Sequence, residues 1–344
     1  MGTNIGDIIR ADESSLEALS GRRIAIDAFN TLYQFLSIIR QPDGTPLKDR
    51  QGRITSHLSG LFYRNVRLLE HGILPAYVYD GEAPSLKSEE VERRREIRTD
   101  AEKEWKKAKA EGRIEDARKA AQASSRLTTN MIEGSKSLLR ALGIPVIQAP
   151  SEGEALAAQI ARNNMVWASA SQDYDSLLYD CPLMVRNLSI TGRRRVARSK
   201  RYKTVHPEII DLDMNLKLLE VTRPQLIDIA IMVGTDYNDN IPGVGAKTAL
   251  KLIQEYGDLE TAVETKDLEV DFPYERIREI FLHPPESHIE KLEWTDPDPD
   301  AVRGLLCDVH DFSRNRVNST LGRLEKALRE IEESGQQSSL ADFL

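Results

Sequence analysis

Apolar positions along the chain follow two rhythms. Short consecutive runs that end on an acid, Arg22-Arg23-Ile24-Ala25-Ile26-Asp27 and Ala76-Tyr77-Val78-Tyr79-Asp80, predict buried parallel strands. Ile144-Pro145-Val146-Ile147 and Val166-Trp167-Ala168-Ser169-Ala170 read the same way, and 183–188 and 202–205 read as strands around a turn at Thr191-Gly192. Helical spacing takes over at Phe29, Leu32, Tyr33, Leu36 and Ile39, stopping before the turn Gln41-Pro42-Asp43-Gly44. It returns at 56–71, 151–161 and from Arg223 onward. Strands alternating with helices predict an α/β fold with a mostly parallel central sheet.

Residues 86–142 break this alternation. Thirteen basic and twelve acidic side chains crowd the stretch from Glu82 to Glu133. The pattern predicts a salt-bridged helical hairpin broken near Gly112, or a helical insertion standing over a site. The final polar residues read as a flexible tail.

Composition then narrows the class. At 344 residues, 40% hydrophobic and 30% charged, the chain reads as a soluble globular protein. No apolar run approaches a membrane span, and no basic region followed by an apolar stretch marks the N-terminus for secretion. Cys181 and Cys307 alone exclude a disulfide framework and a cysteine-ligated zinc site. The net charge of −8 hides an asymmetry: 14 acids against 4 bases between Asp258 and Asp300 leave the other 301 residues at +2. Residues 190–203 carry seven bases and no acid, either a solvated hairpin or a phosphate-contacting strip.

The acids carry the chemistry. In an open parallel sheet, sites form at the carboxyl ends of strands. Asp27, Asp80, Asp173 and Asp175 lie at predicted strand ends, Glu152 and Glu154 open a helix, and Asp236 follows an apolar helix. Several also admit an ordinary role: Ser151 and Glu154 fit a capping box, Asp80 fits a turn, and Asp173 or Asp175 fits a helix cap, whereas Asp27 at its strand end is harder to explain so. If the seven converge, they share one crevice edge, and like charges so placed require protonation or divalent cations. Hard oxygen ligands favour Mg²⁺ or Mn²⁺, and two such ions suit in-line attack on a phosphodiester. Separately, Ile241-Pro242-Gly243-Val244-Gly245-Ala246-Lys247-Thr248 opens a helix whose glycines let backbone N–H groups approach a phosphate.

The runs Ile24-Ala25-Ile26-Asp27-Ala28, Tyr77-Val78-Tyr79-Asp80-Gly81, Ala149-Pro150-Ser151-Glu152-Gly153-Glu154-Ala155, Gln172-Asp173-Tyr174-Asp175 and Gly234-Thr235-Asp236-Tyr237 resemble, in order and spacing, the motifs of flap structure-specific endonucleases, in their archaeal form. The resemblance implies a PIN-like 5′-nuclease fold with a helical arch and a C-terminal helix–turn–helix DNA-binding element. It implies 5′-flap endonuclease and 5′–3′ exonuclease activity in Okazaki-fragment processing and long-patch base-excision repair. Asp27, Asp80, Glu152 and Glu154 match the ligands of one Mg²⁺, and Asp173, Asp175 and Asp236 those of a second. Lys87 and Arg94 match side chains that reach the scissile phosphate, and two helical turns apart they share a face. Tyr33 matches a base-stacking aromatic, although its spacing also suits a core position. Gly2, Arg40 and Arg64 match DNA-contacting positions, joined by Arg193, Arg194 and Arg195 of the basic strip. Gly234, Gly243, Gly245 and Lys247, with Glu152 and Asp236, complete the expected DNA surface, and the helix–turn–helix is expected to hold K⁺.

The resemblance divides the chain into an N-terminal nuclease region at 1–98, an arch beginning near 86 and continuing over 99–142, and an internal nuclease region at 116–258 with the helix–turn–helix at 234–253. A helical region at 259–335 and a tail at 336–344 follow. In that tail Gln337, Leu340, Phe343 and Leu344 resemble the box that docks sliding clamps (proliferating cell nuclear antigen), with Leu344 in place of the usual final aromatic. A monomer in the cytoplasm or on the nucleoid of an archaeal-like cell is expected. Two alternatives stay open: a related nuclease for bubbles, junctions or RNA, and a clamp-bound scaffold without chemistry.

Overall fold

The computed structural model describes residues 3–41, 43–82, 84–190, 192–195 and 202–341, without the side chains of 85, 88–91, 94, 118, 193–195, 202–203 and 334–341. In chain order the elements are β1 (Asp12–Glu13), β2 (Arg23–Asp27), α1 (Ala28–Ile38), α2 (Ser56–Glu70), β3 (Leu74–Tyr79), α3 (Ser88–Ala110), α4 (Ile114–Ala123), α5 (Thr129–Ala141), β4 (Val146–Gln148), α6 (Gly153–Arg162), β5 (Ala168–Ala170), α7 (Asp175–Leu178) and β6 (Leu183–Arg186). There follow β7 (Gly192–Arg195), β8 (Tyr202–Val205), β9 (Glu208–Asp211), α8 (Leu212–Leu219), α9 (Arg223–Val233), α10 (Ala246–Tyr256), α11 (Leu259–Lys266), α12 (Tyr274–Leu282), α13 (Pro299–Arg303) and α14 (Arg314–Ala341).

Seven strands form one sheet in the order β1-β9-β6-β5-β2-β3-β4. The five inner and right-hand strands, β6 through β4 in that order, run parallel, and β9 and β1 add an antiparallel edge. Apolar residues cover both faces. Leu156, Ile160, Ile227, Ile231, Ile253 and Phe281 build one layer from α6, α9, α10 and α12. Leu32, Phe35, Leu61, Phe62, Leu138 and Leu324 build the other from α1, α2, α5 and α14. This two-sided burial is why β2 and β3 read as continuous apolar runs rather than alternating ones.

Several expectations need correction. The strand at 183–188 does not pair with 202–205. Met184 and Val185 are fully buried, so β6 joins the main sheet between β5 and β9. Gly192–Arg195, too basic for the core, pairs with β8 in a separate ribbon. The charged insertion ends at α4, while α5 belongs to the body. Thr128 caps it by accepting from the Met131 N–H at 3.3 Å, and Ser135, Leu138 and Leu139 are buried. Helix does not continue unbroken after Arg223: residues 283–298, with Pro284, Pro285 and Pro297, run without helix. There Trp294 Nε1 donates to the Pro75 carbonyl at 2.7 Å. At Gly143 (φ +72°) an added Cβ would lie 1.9 Å from the Thr295 carbonyl, so only glycine lets this strap close. Helical backbone in α14 continues through Ala341, into the stretch whose polar composition suggested a tail.

Candidate active site

Strand order places the chemistry. β5, β2 and β3 are adjacent and parallel, so their carboxyl ends form one edge. Asp27 ends β2, Asp80 follows β3, and Asp173 and Asp175 follow β5. Glu152 and Glu154 stand at the start of α6 on the same side, and Asp236 sits in the turn after α9.

Each acid is held by a donor from a neighbouring element. Asp27 is the N-cap of α1, accepting from the Asn30 N–H at 3.1 Å. The Asn30 side-chain amide in turn donates to Asp173 Oδ2 at 2.8 Å. Asp80 Oδ1 accepts the Gly153 N–H at 2.7 Å, and a Cβ on Gly153 would stand 2.6 Å from that oxygen, so a larger residue there would displace the carboxylate. Ser171 Oγ donates to Glu154 Oε1 at 2.6 Å, and the Thr3 N–H to Asp175 Oδ1 at 2.8 Å. The capping-box alternative does not hold: Glu152, not Ser151, is the N-cap residue of α6, and no side chain caps it.

The acids repel one another. Burial, Asp80 and Asp173 push the Asp27 carboxyl well above its ordinary range. Burial, Asp175, Asp27 and Asp173 do the same to Glu154. Burial and Glu152 push Asp80 up to about 6, with the Gly153 N–H opposing. Burial and Asp236 push Asp175 up to about 6, with the Thr3 N–H opposing. The seven thus form one electrostatic neighbourhood.

Lys87 supplies an opposing charge. Its Nζ lies 2.7 Å from Glu152 Oε2 and 3.3 Å from Asp236 Oδ2. Burial opposes its charge, but the two carboxylates outweigh burial and hold it protonated. Beneath it lies the Tyr237 ring at 5.8 Å, whose hydroxyl meets that of Tyr179 at 3.1 Å. Among the described residues, no three His, Cys, Asp or Glu side chains stand close enough together to hold a metal ion as placed. The fit to a divalent cation is one of donor type and charge. All seven ligand candidates offer hard oxygens, four are destabilised as anions, and the Thr3 hydroxyl beside Asp175 is buried without a partner.

Lys87 precedes α3, and the backbone of Arg94 lies within that helix, its side chain outside the described residues. Tyr33 is half-buried, with the Arg98 guanidinium 5.0 Å above its ring, so it is no core residue. Arg40 brackets α1, the following loop and α4's end, donating to the carbonyls of Leu36 and Gly44 and to Ser125 Oγ. Arg64 is partly buried in α2. Gly234 (φ +102°) ends α9, and Gly243, Gly245 and Lys247 are exposed at the open N-terminus of α10. The backbones of Arg193, Arg194 and Arg195 form β7, while Gly2, Phe343 and Leu344 and the side chains of Gln337 and Leu340 lie outside the described residues. Sequence reading missed Thr3, Asn30 and Ser171. Asn30 carried a signal in its position three residues after an N-cap acid; Thr3 and Ser171 reach their acids only through the fold.

Comparison with known proteins follows this geometry. The XPG N-terminal domain matches residues 4–101 and the XPG I-region residues 143–236. Flap endonuclease 1 of Pyrococcus furiosus is 52% identical over 344 residues, covering 100% of this chain and 99% of that protein. The solved flap endonuclease-1 from Methanococcus jannaschii superposes with a TM-score of 0.74 at 39% identity, covering 96% of this chain and 99% of that one. The catalytic core of Rad2 in complex with DNA substrate superposes with a TM-score of 0.69 at 26% identity, covering 93% and 97%.

Proposed function

The chain belongs to the flap endonuclease 1 family, and from that membership we propose how its own residues cut a phosphodiester. It is a structure-specific flap endonuclease, a DNA-binding nuclease of replication and repair. We infer 5′–3′ exonuclease activity as well, with work on Okazaki fragments and in long-patch base-excision repair.

Asp27, Asp80, Glu152 and Glu154 would hold one Mg²⁺, and Asp173, Asp175 and Asp236 a second, with Mn²⁺ able to substitute. When bound, such a pair supplies Lewis acidity at the phosphodiester and lowers the pKa of an attacking water. The observation that carries this reading is the pooling of acids that destabilise one another at one sheet edge. Closing on the cations requires the side chains to turn inward from their present positions. Lys87 would then exchange its carboxylate partners for the scissile phosphate, with Arg94 beside it, stabilising charge that grows in the transition state. Tyr33 would offer its ring to a base, and Arg98 must leave that face first.

Grip on the duplex would be sequence-independent. The exposed N-terminus of α10, with Gly243, Gly245 and Lys247, suits phosphate and a K⁺ ion, and Arg193, Arg194 and Arg195 suit a second stretch of backbone. Gly234 shapes the turn that carries Asp236. Gly2, Arg40 and Arg64 would face the junction, and Gln337, Leu340, Phe343 and Leu344 would dock a sliding clamp on a monomeric enzyme. Among the described residues no helix is long and apolar enough to cross a membrane.

Cleavage of labelled 5′-flap, bubble, four-way-junction, single-stranded and RNA substrates, with and without Mg²⁺, tests the reading. The expected result is Mg²⁺-dependent incision of the flap first. Preference for another substrate, or cleavage in chelator, contradicts it.

A further inference from the structure

Residues 3–9 form a strap ahead of β1. Ile5 is fully buried in the core, and an added Cβ on Gly6 would stand 2.6 Å from the Tyr174 hydroxyl, so the strap lies directly on the Asp173-Tyr174-Asp175 turn. Arg186 donates to the Tyr174 phenol oxygen at 2.5 Å, its guanidinium 4.5 Å from the ring.

Thr3 heads this strap and is 2% exposed. Its backbone N–H takes Asp175 Oδ1 at 2.8 Å. Its hydroxyl, on the same residue, has no solvent contact and no hydrogen-bond partner. A buried hydroxyl without a partner is costly, and a native chain keeps one mainly where something bound will satisfy it. Asp236, Asp173 and Glu154 are neighbouring carboxylates that repel Asp175.

We propose that Thr3 is a positioning residue for the divalent-cation site at Asp173, Asp175 and Asp236. Its N–H orients Asp175, and its hydroxyl serves as the waiting donor for that carboxylate, or for a water ordered beside it, once a cation draws the acids together. The proposal rests on the cation reading above. Donors of this kind, one step removed from the ion, typically govern its affinity.

The test uses the full-length protein stripped with chelator, without DNA. Mn²⁺ binding is measured by calorimetry and the cation-free thermal midpoint by scanning, for wild type, Thr3→Val and Thr3→Ser. Thr3→Val keeps the shape and the N–H and removes the hydroxyl. The expected result is Mn²⁺ affinity lowered roughly tenfold in Thr3→Val, wild-type affinity in Thr3→Ser, and a cation-free midpoint in Thr3→Val no lower than wild type. A purely structural role cannot produce weaker cation binding together with undiminished cation-free stability. Equal affinity in wild type and Thr3→Val overturns the proposal, as does failure of Thr3→Ser to restore binding or a midpoint that falls alongside affinity. If Thr3→Val does not fold, Thr3→Ala decides by the same affinity comparison. Wild type that binds no Mn²⁺ overturns the cation reading itself, a separate outcome from wild type and variant binding alike.

Discussion

Asp49 and the acids of the crevice are carboxylates buried in opposite ways. Asp49, in the loop before α2, has no solvent contact on its side chain. It accepts from Arg53 Nε at 2.6 Å, from the backbone of Gln51 and Arg53 at 3.0 and 2.9 Å, and meets His310 Nδ1 at 3.1 Å. Burial pushes its pKa up, but these partners outweigh burial and hold it down at about 2. At the crevice, Asp27, Asp80, Glu154 and Asp175 have one or two donors each and anionic neighbours besides, and all four are pushed up. A carboxylate completed by its own protein is a fastening, here tying the loop to the turn at 309–311. One left among like charges stores repulsion that a bound cation relieves, so incomplete pairing marks where function resides.

The sharpest way to break this contrast is to remove one acid from each side. Asp173→Ala should lower Mg²⁺-dependent flap cleavage under single turnover by roughly 1000-fold or more, the scale of losing a principal transition-state contact. Asp49→Asn should leave that rate near wild type. Equal losses would erase the distinction between fastening and site.

Lys87 is the next largest lever. Lys87→Gln should slow cleavage by roughly 100-fold with flap affinity nearly unchanged, because its charge matters most as the phosphate gains charge. A loss confined to affinity, seen by comparing single-turnover rate with fluorescence anisotropy, would make it a binding residue instead.

Acidity separates the two regions by sign. Asp80 and Asp175 have folded pKa values near 6, above the roughly 3.9 of an unfolded Asp. Between those values the folded state holds more protons, so the stability of the cation-free protein falls as pH rises from about 4 to 6, by at most about 3 kcal/mol per group. The two are coupled, so their joint effect is less than the sum. Asp175→Asn should flatten this slope in thermal scans, and saturating Mg²⁺ should remove it. A wild-type slope that persists in the variant would place the repulsion elsewhere. Asp49 acts in reverse: its folded pKa lies below the unfolded value, so its stabilisation is present above about pH 4 and lost as pH falls toward 2. Asp49→Asn should therefore lower the midpoint at neutral pH by a few degrees and lose the steep acid limb. An unchanged midpoint would show that the fastening is idle.

Much of the candidate site was legible because strand ends announce themselves. Asp27 and Asp80 each close an apolar run, and a run of that kind has few other reasons to stop on an acid. The same logic found β2, β3 and β5, whose residues are buried on both faces. It failed for β9, where Glu208-Ile209-Ile210-Asp211 is too short and too mixed to separate from a loop, and so mispaired the strand at 183–188. It failed again at 283–298, where stabilisation comes from distant partners such as the Pro75 carbonyl for Trp294. Thr3 was invisible for a related reason: it meets Asp175 across 172 residues of chain, and nothing in its own neighbourhood announces the contact.

The most direct test is a crystal of the full chain soaked in Mn²⁺ and measured at the manganese absorption edge. The account requires two anomalous peaks among Asp27, Asp80, Glu152, Glu154, Asp173, Asp175 and Asp236, with those side chains turned in to meet them. No peak there at saturating Mn²⁺, or peaks confined to other acids, would contradict it.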